Sequence, residues 1–126
     1  MPADTIFIVD PDPDTCASVE ALLSRLGYVS KVFHSGMDFM AYLASTDHVP
    51  QGCIISEMTL PDLTGLQLMA ELNEADVALP VIILTNDSDV KTAVRALHTH
   101  ASGYLKKPYV ERDLMNGVRQ ALAANR

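Results

Sequence analysis

The sequence predicts an α/β fold, a parallel sheet with helices packed on both of its faces. Three observations carry this. Five short apolar runs, at residues 6–9, 29–33, 53–56, 81–85 and 103–105, have the length and content of strands. Amphipathic stretches of helical period lie between them, and strands alternating with helices imply βαβ units. The first run, Ile6-Phe7-Ile8-Val9, is apolar without alternation, as in a strand buried on both sides. With 126 residues, 48% of them hydrophobic, and no repeat, low-complexity tract or linker, a single domain over 1–126 accounts for the chain.

Each element has its own signal. After the first strand, Asp14 or Thr15 is expected to cap a helix in which Val19, Leu22, Leu23 and Leu26 recur at i, i+3, i+4 and i+7, and Gly27 ends it. Val29 to Phe33 alternates as a half-buried strand does. Ser35, with Asp38 three residues on, opens a helix to about Ser45. Residues 46–52 read as loop. Cys53-Ile54-Ile55-Ser56 is the third strand, and the loop carrying Pro61 and Gly65 leads to a helix burying Leu68, Met69 and Leu72. Pro80 introduces Val81-Ile82-Ile83-Leu84-Thr85. Asp87-Ser88-Asp89 then caps a helix with Val90, Ala93, Val94 and Leu97 on one stripe. Gly103-Tyr104-Leu105 is a short strand that ends at Lys106-Lys107-Pro108. A fifth helix, about Glu111 to Ala124, buries Leu114, Val118, Ala121 and Leu122.

Composition narrows the function. Sixteen acidic against nine basic residues leave a net charge of −7, which argues against direct contact with nucleic acid, whose phosphates reward clustered Lys and Arg. No apolar run reaches the roughly 18 residues of a membrane span. The opening Met1-Pro2-Ala3-Asp4 has no basic and apolar signal segment, so a cytoplasmic protein that meets other proteins is expected. Cys16 and Cys53 are read as reduced and buried. Of His34, His48, His98 and His100, the last two are spaced i, i+2 and point apart on a helix, so no metal site is expected from them.

In an open parallel sheet, ligands bind beyond the carboxyl ends of the strands. The residues there are Asp10, Glu57, Thr85 with Asn86, and Lys107. Any one of them could simply end a strand on a wet surface. Together, two carboxylates, a hydroxyl and an ammonium on one rim are the equipment of Mg²⁺-assisted phosphoryl chemistry, which is mostly positioning and charge neutralisation.

These residues resemble the response-regulator receiver (CheY-like) family, and the resemblance covers essentially the whole chain. Glu57-Met58-Thr59-Leu60-Pro61-Asp62-Leu63-Thr64-Gly65 is similar to the family's D-x-x-x-P-x-x-x-G loop, Val81 to Thr85 to its fourth strand, and Ala101 to Pro108 to its fifth. The resemblance implies a flavodoxin-like, three-layer domain with strand order 2-1-3-4-5 and five helices. It implies a role in two-component (phosphorelay) signalling rather than as an enzyme, with Glu57 at the phosphoacceptor position. It also implies an acidic Mg²⁺ site around Asp10, Asp12 and Glu57, with Thr59 completing the ligands, and a switch formed by Thr85, Tyr104 and Lys107. Pro108 would follow a cis peptide. Partners would be a sensor histidine kinase or a downstream output protein. They would meet the face made by the fourth helix, fifth strand and fifth helix, where Lys91, Arg95, Lys106, Glu111, Arg112, Asp113 and Arg119 place both signs of charge. Asp62 and Thr64 are candidates for contact with a kinase-like partner, and a homodimer is compatible with the same resemblance.

Two positions depart from the family. Glu57 stands where the acceptor should be Asp, and Pro11 where a second acid should follow Asp10. The extra methylene moves the carboxylate outward by roughly 1.5 Å, and a misplacement of about 1 Å can cost of order a hundredfold in rate. Losing an acid weakens any Mg²⁺ site, since this ion demands near-ideal octahedral geometry. Asp12, one residue on, is a candidate replacement, though a shift of one changes where the side chain points. Asn86 replaces a small residue beside the phosphate's approach. The expectation is a receiver impaired in phosphorylation or independent of it, with Glu57 reaching Lys107 directly and drawing in Thr85. The rivals are a switch fixed inactive and a receiver that still takes phosphate from a histidine kinase to regulate a fused DNA-binding domain. A ligand binder sharing only the fold is disfavoured, because Asp10-Pro11-Asp12-Pro13 is not a Gly-rich phosphate loop.

Overall fold

A computed structural model describes residues 4–47, 50–86 and 101–124. Nine elements follow in order: β1 (Thr5–Val9), α1 (Pro13–Arg25), β2 (Val29–Phe33), α2 (Gly36–Ala44), β3 (Gly52–Glu57), α3 (Gly65–Glu74), β4 (Val81–Thr85), β5 (Ala101–Lys106) and α4 (Glu111–Ala124). The five strands form one parallel sheet in the order β2-β1-β3-β4-β5, the flavodoxin-like arrangement. The helix expected on the Val90–Leu97 stripe, with Lys91 and Arg95, lies outside the described residues, as do His48, His98 and His100.

The two-residue period of a strand sorts the core into two layers. Ile6 and Ile8, Cys53 and Ile55, and Ile82 and Leu84 pack with Val19, Leu22 and Leu23 of α1 and Leu114, Val118 and Ala121 of α4. Phe7 and Val9, Ile54, and Val81 and Ile83 face the other way, onto Phe39 of α2 and Leu68, Met69 and Leu72 of α3. Phe7, Phe33, Phe39 and Tyr42 form an aromatic group there, with centroids 5.2–6.4 Å apart. Burying these side chains is the main force holding helices to sheet, at roughly 1.5–3 kcal/mol each. Cys16 and Cys53 are free thiols in this core, and burial pushes them up to about 11 and about 12 respectively.

The ends of several elements differ from expectation. α1 is capped by Asp12, not by Asp14 or Thr15. Asp12 is extended (φ −88°, ψ 112°), and its carboxylate accepts from the Asp14 N–H at 3.1 Å and the Thr15 hydroxyl at 2.8 Å. Pro13 suits the first helical position because it has no N–H to leave unpaired. Leu26 falls beyond the last turn at the C-cap and is 49% exposed, off the buried stripe it was expected to join. Gly27, at φ +85°, makes the turn a side chain would resist. β5 is longer than Gly103–Leu105 because β4 supplies a ladder from Val81–Ala101 to Thr85–Lys106. Neighbouring backbone outweighs the weak strand preference of Ala, Ser and Lys. A register shift between Val81 and Ile82 leaves Gly103 opposite Ile82.

Candidate functional site

The rim of the sheet is built by register. β1 and β3 pair Ile8 with Ile55 and Val9 with Ser56, so one step further sets Asp10 beside Glu57. Both have the parity of the layer beneath α1 and α4. Lys107 continues the Gly103–Leu105 parity of β5 to the same side, and its backbone N–H donates to the Thr85 carbonyl at 2.7 Å. The Lys107–Pro108 peptide is cis.

The three charged groups meet. Lys107 Nζ lies 2.5 Å from Glu57 Oε2 and 3.5 Å from Asp10 Oδ2. The Asp10 and Glu57 side chains are only 4% and 12% exposed, and Lys107 21%. The Lys107 ammonium is the partner of both Asp10 Oδ2 and Glu57 Oε2. Burial works against the charge on Lys107, but the Glu57 and Asp10 carboxylates outweigh it and hold its pKa above the ordinary value. Asp10 is pinned from behind. Its Oδ1 accepts from the Asp12 N–H at 2.9 Å, its carbonyl accepts from Cys16 Sγ at 3.3 Å, and His34 Nδ1 lies 3.0 Å from that carbonyl.

The remaining rim residues fall into place around this pair. Thr85 is buried and has the parity of the α2/α3 layer, against which the half-buried Tyr104 also packs. Pro11 and Asn86 are exposed. Asp12 is exposed and occupied as the α1 cap, and its bonds to Thr15 and the Asp14 N–H lower its carboxyl below the usual range. Thr59 bridges Thr64 across the loop, and the Gly65 N–H donates to the Met58 carbonyl at 2.7 Å. A Cβ on Gly65 would sit 3.0 Å from Ile83 Cδ1 and 3.2 Å from the Glu57 carbonyl, which is why the loop closes on glycine.

Asp62 and Thr64, expected as partner contacts, both have local structural work. The Asp62 carboxylate accepts from the Gly36 N–H at 3.1 Å and the Met37 N–H at 2.7 Å, tying the Glu57 loop to the start of α2. Burial would raise its carboxyl, but the Met37 and Gly36 donors prevail and lower it. Thr64 caps α3 in a reciprocal box with Gln67. His34 was missed as a neighbour of the site. Its position one residue beyond β2, on the same rim, was the available signal.

The donor set is a weak one for Mg²⁺. Two carboxylates converge rather than three, and the oxygens that would turn to an ion face Lys107 instead. Among the described residues no group of three His, Cys, Asp or Glu could hold a metal. What the arrangement does chemically is neutralise a partly buried lysine.

Comparison with known proteins adds the context. Residues 6–119 match the family model of the response regulator receiver domain. The chain is 33% identical over 124 residues to the transcriptional regulatory protein TdiR of Thauera aromatica, covering 98% of this chain and 53% of that protein. It is 30% identical over 117 residues to the response regulator protein TmoT of Ectopseudomonas mendocina, covering 93% of this chain and 52% of that protein. The chain thus spans about half the length of these curated relatives. The crystal structure of the signal receiver domain of an HD domain-containing protein from Pseudomonas fluorescens Pf-5 superposes with a TM-score of 0.85 at 27% identity, covering 99% of this chain and 90% of that one.

Proposed function

The chain belongs to the response regulator receiver domain family, and on that premise we propose that it is a receiver whose acceptor position no longer takes phosphate. The observation that carries this reading is the Glu57–Lys107 ion pair, 2.5 Å long and nearly sealed from solvent. Lys107 is the cation that a phosphoryl group at this position would have to recruit, and Glu57 already holds it. The longer side chain therefore does locally what an added anion would do, without any transfer. Buried Thr85 and half-buried Tyr104 have the opposite parity at the same strand ends, toward the α2/α3 side.

On this reading the protein signals by binding other proteins in the cytoplasm. Its partner is a histidine kinase or an output protein, met through the face that includes β5 and α4 or through a homodimer. It is not an enzyme, and this domain does not itself touch nucleic acid. Mg²⁺ binds weakly, through Asp10, Glu57 and Thr59, because Pro11 supplies no ligand and Asp12 is held by the helix cap.

The metal side is tested by titrating Mg²⁺ into the native chain and a Pro11→Asp variant, following backbone amide shifts at residues 10–12 and 57–59. The native chain is expected to need at least about tenfold more Mg²⁺ to saturate, given that affinity follows carboxylate count and geometry. Equal affinity in the two proteins would remove the argument from Pro11.

A further inference from the structure

Beside this rim, and independent of what Glu57 accepts, a groove runs between α1 and α4. Its apolar lining is Leu22, Leu26 and Met115, and Arg25, Arg112 and Arg119 line it with charge. Leu22 and Met115 are buried at its base, while Leu26 is 49% exposed at its mouth. The charge here runs against the rest of the molecule. The chain holds five arginines and a net charge of −7, yet three of the five line this one groove with a single acid, Glu111.

Local structure explains only part of that cluster. Arg25 lies in the last turn of α1, where a cation suits the helix dipole, and pairs with Glu111 across the groove at 3.5 Å. Arg119 Nη1 donates to Asn116 Oδ1 at 3.3 Å within its own helix, a contact that leaves its charge uncompensated. Glu111 offsets one of the three arginines, so the groove keeps two positive charges around an apolar floor.

We infer that this groove is a docking surface for an acidic amphipathic helix of a partner protein, one that lays an apolar ridge on Leu22, Leu26 and Met115 and sets carboxylates against Arg112 and Arg119. The shape suits a helix because two packed helices leave a groove into which a third helix's ridge can fit. The charge sets the sign, since guanidinium groups take carboxylates in paired hydrogen bonds. A second copy packed face to face would bring arginine rim against arginine rim, so self-association is disfavoured.

The test uses two synthetic helices of about four turns with the same leucine ridge. One is flanked by glutamates and the other by lysines. Each is titrated into the full chain while the methyl signals of Leu22, Leu26 and Met115 are followed. The glutamate peptide is expected to move these signals to saturation, and the lysine peptide to bind at least about tenfold more weakly. In the Arg112→Glu/Arg119→Glu variant the preference should disappear or reverse, with signals remote from the groove unchanged. Equal response to both peptides, or movement only elsewhere in the molecule, overturns the inference. So does a shift of the groove signals with protein concentration alone, which would make a second copy the occupant.

Discussion

Register sets the Asp10 and Glu57 carboxylates side by side, and their mutual repulsion has to be met by a counter-charge in a wall that admits little water. Lys107 meets it. Removing the lysine leaves two buried carboxylates facing each other, and breaking a buried pair from one side costs about 3–5 kcal/mol. Lys107→Met is therefore expected to lower stability by about 3 kcal/mol in urea unfolding, the lower end because the lysine is a fifth exposed. A further Asp10→Asn change should recover part of the loss, and a loss under about 0.5 kcal/mol would mean the pair is unimportant. The pH dependence has a definite sign. The folded pKa of Lys107 is raised, so its contribution is complete below the unfolded value of about 10.4 and fades as pH rises through the folded value. The stability difference between native chain and Lys107→Met should accordingly shrink above about pH 10.4.

At the scale of elements, Asp62 joins two segments that sequence separates by 26 residues. It tethers the loop after Glu57 to the first turn of α2 through two backbone N–H groups. Asp62→Ala should cost about 1 kcal/mol, as loss of a helix cap does. Because its folded pKa is lowered, this contribution is present above the unfolded value of about 3.9 and is lost as pH falls through the folded one. Urea unfolding at pH 7 and at pH 2 measures it: the gap between Asp62→Ala and the native chain should close in acid. The contrast with Glu57 shows what the sequence makes legible. Strand ends could be read because apolar runs of four or five residues have few alternatives, and with them came Asp10, Glu57, Thr85 and Lys107 on one rim. Asp62 reads as a candidate partner contact in the sequence, and its tether to α2 is not legible there because the helix it serves comes earlier in the chain. Asp12 reads as a metal-site substitute because it follows Pro11, which stands where a second acid is expected, and its role as the α1 cap becomes visible only in the fold. The local bonds of both residues depend on where a short side chain finds its nearest N–H, which is a matter of three-dimensional approach and not of spacing.

At the scale of the whole molecule, the sheet separates two tasks. Asp10, Glu57 and Lys107 share one parity and sit above the α1/α4 layer, while Thr85 and Tyr104 share the other and belong to the α2/α3 side. A change in charge at the rim can reach the second group through the strand ends, where Lys107 and Thr85 are joined by a backbone hydrogen bond of 2.7 Å. In a receiver that takes phosphate, that route would be driven by transfer. Here the Glu57–Lys107 pair is already formed, and on the proposed reading no transfer is needed and none occurs. The direct measurement is the intact mass of the native chain after incubation with Mg²⁺ and a small acyl-phosphate donor, beside a Glu57→Asp/Pro11→Asp variant. The native chain is expected to gain no phosphoryl mass and the variant to gain it. A phosphoryl group found on the native chain, whether at Glu57 or at Asp12, would contradict the proposed reading.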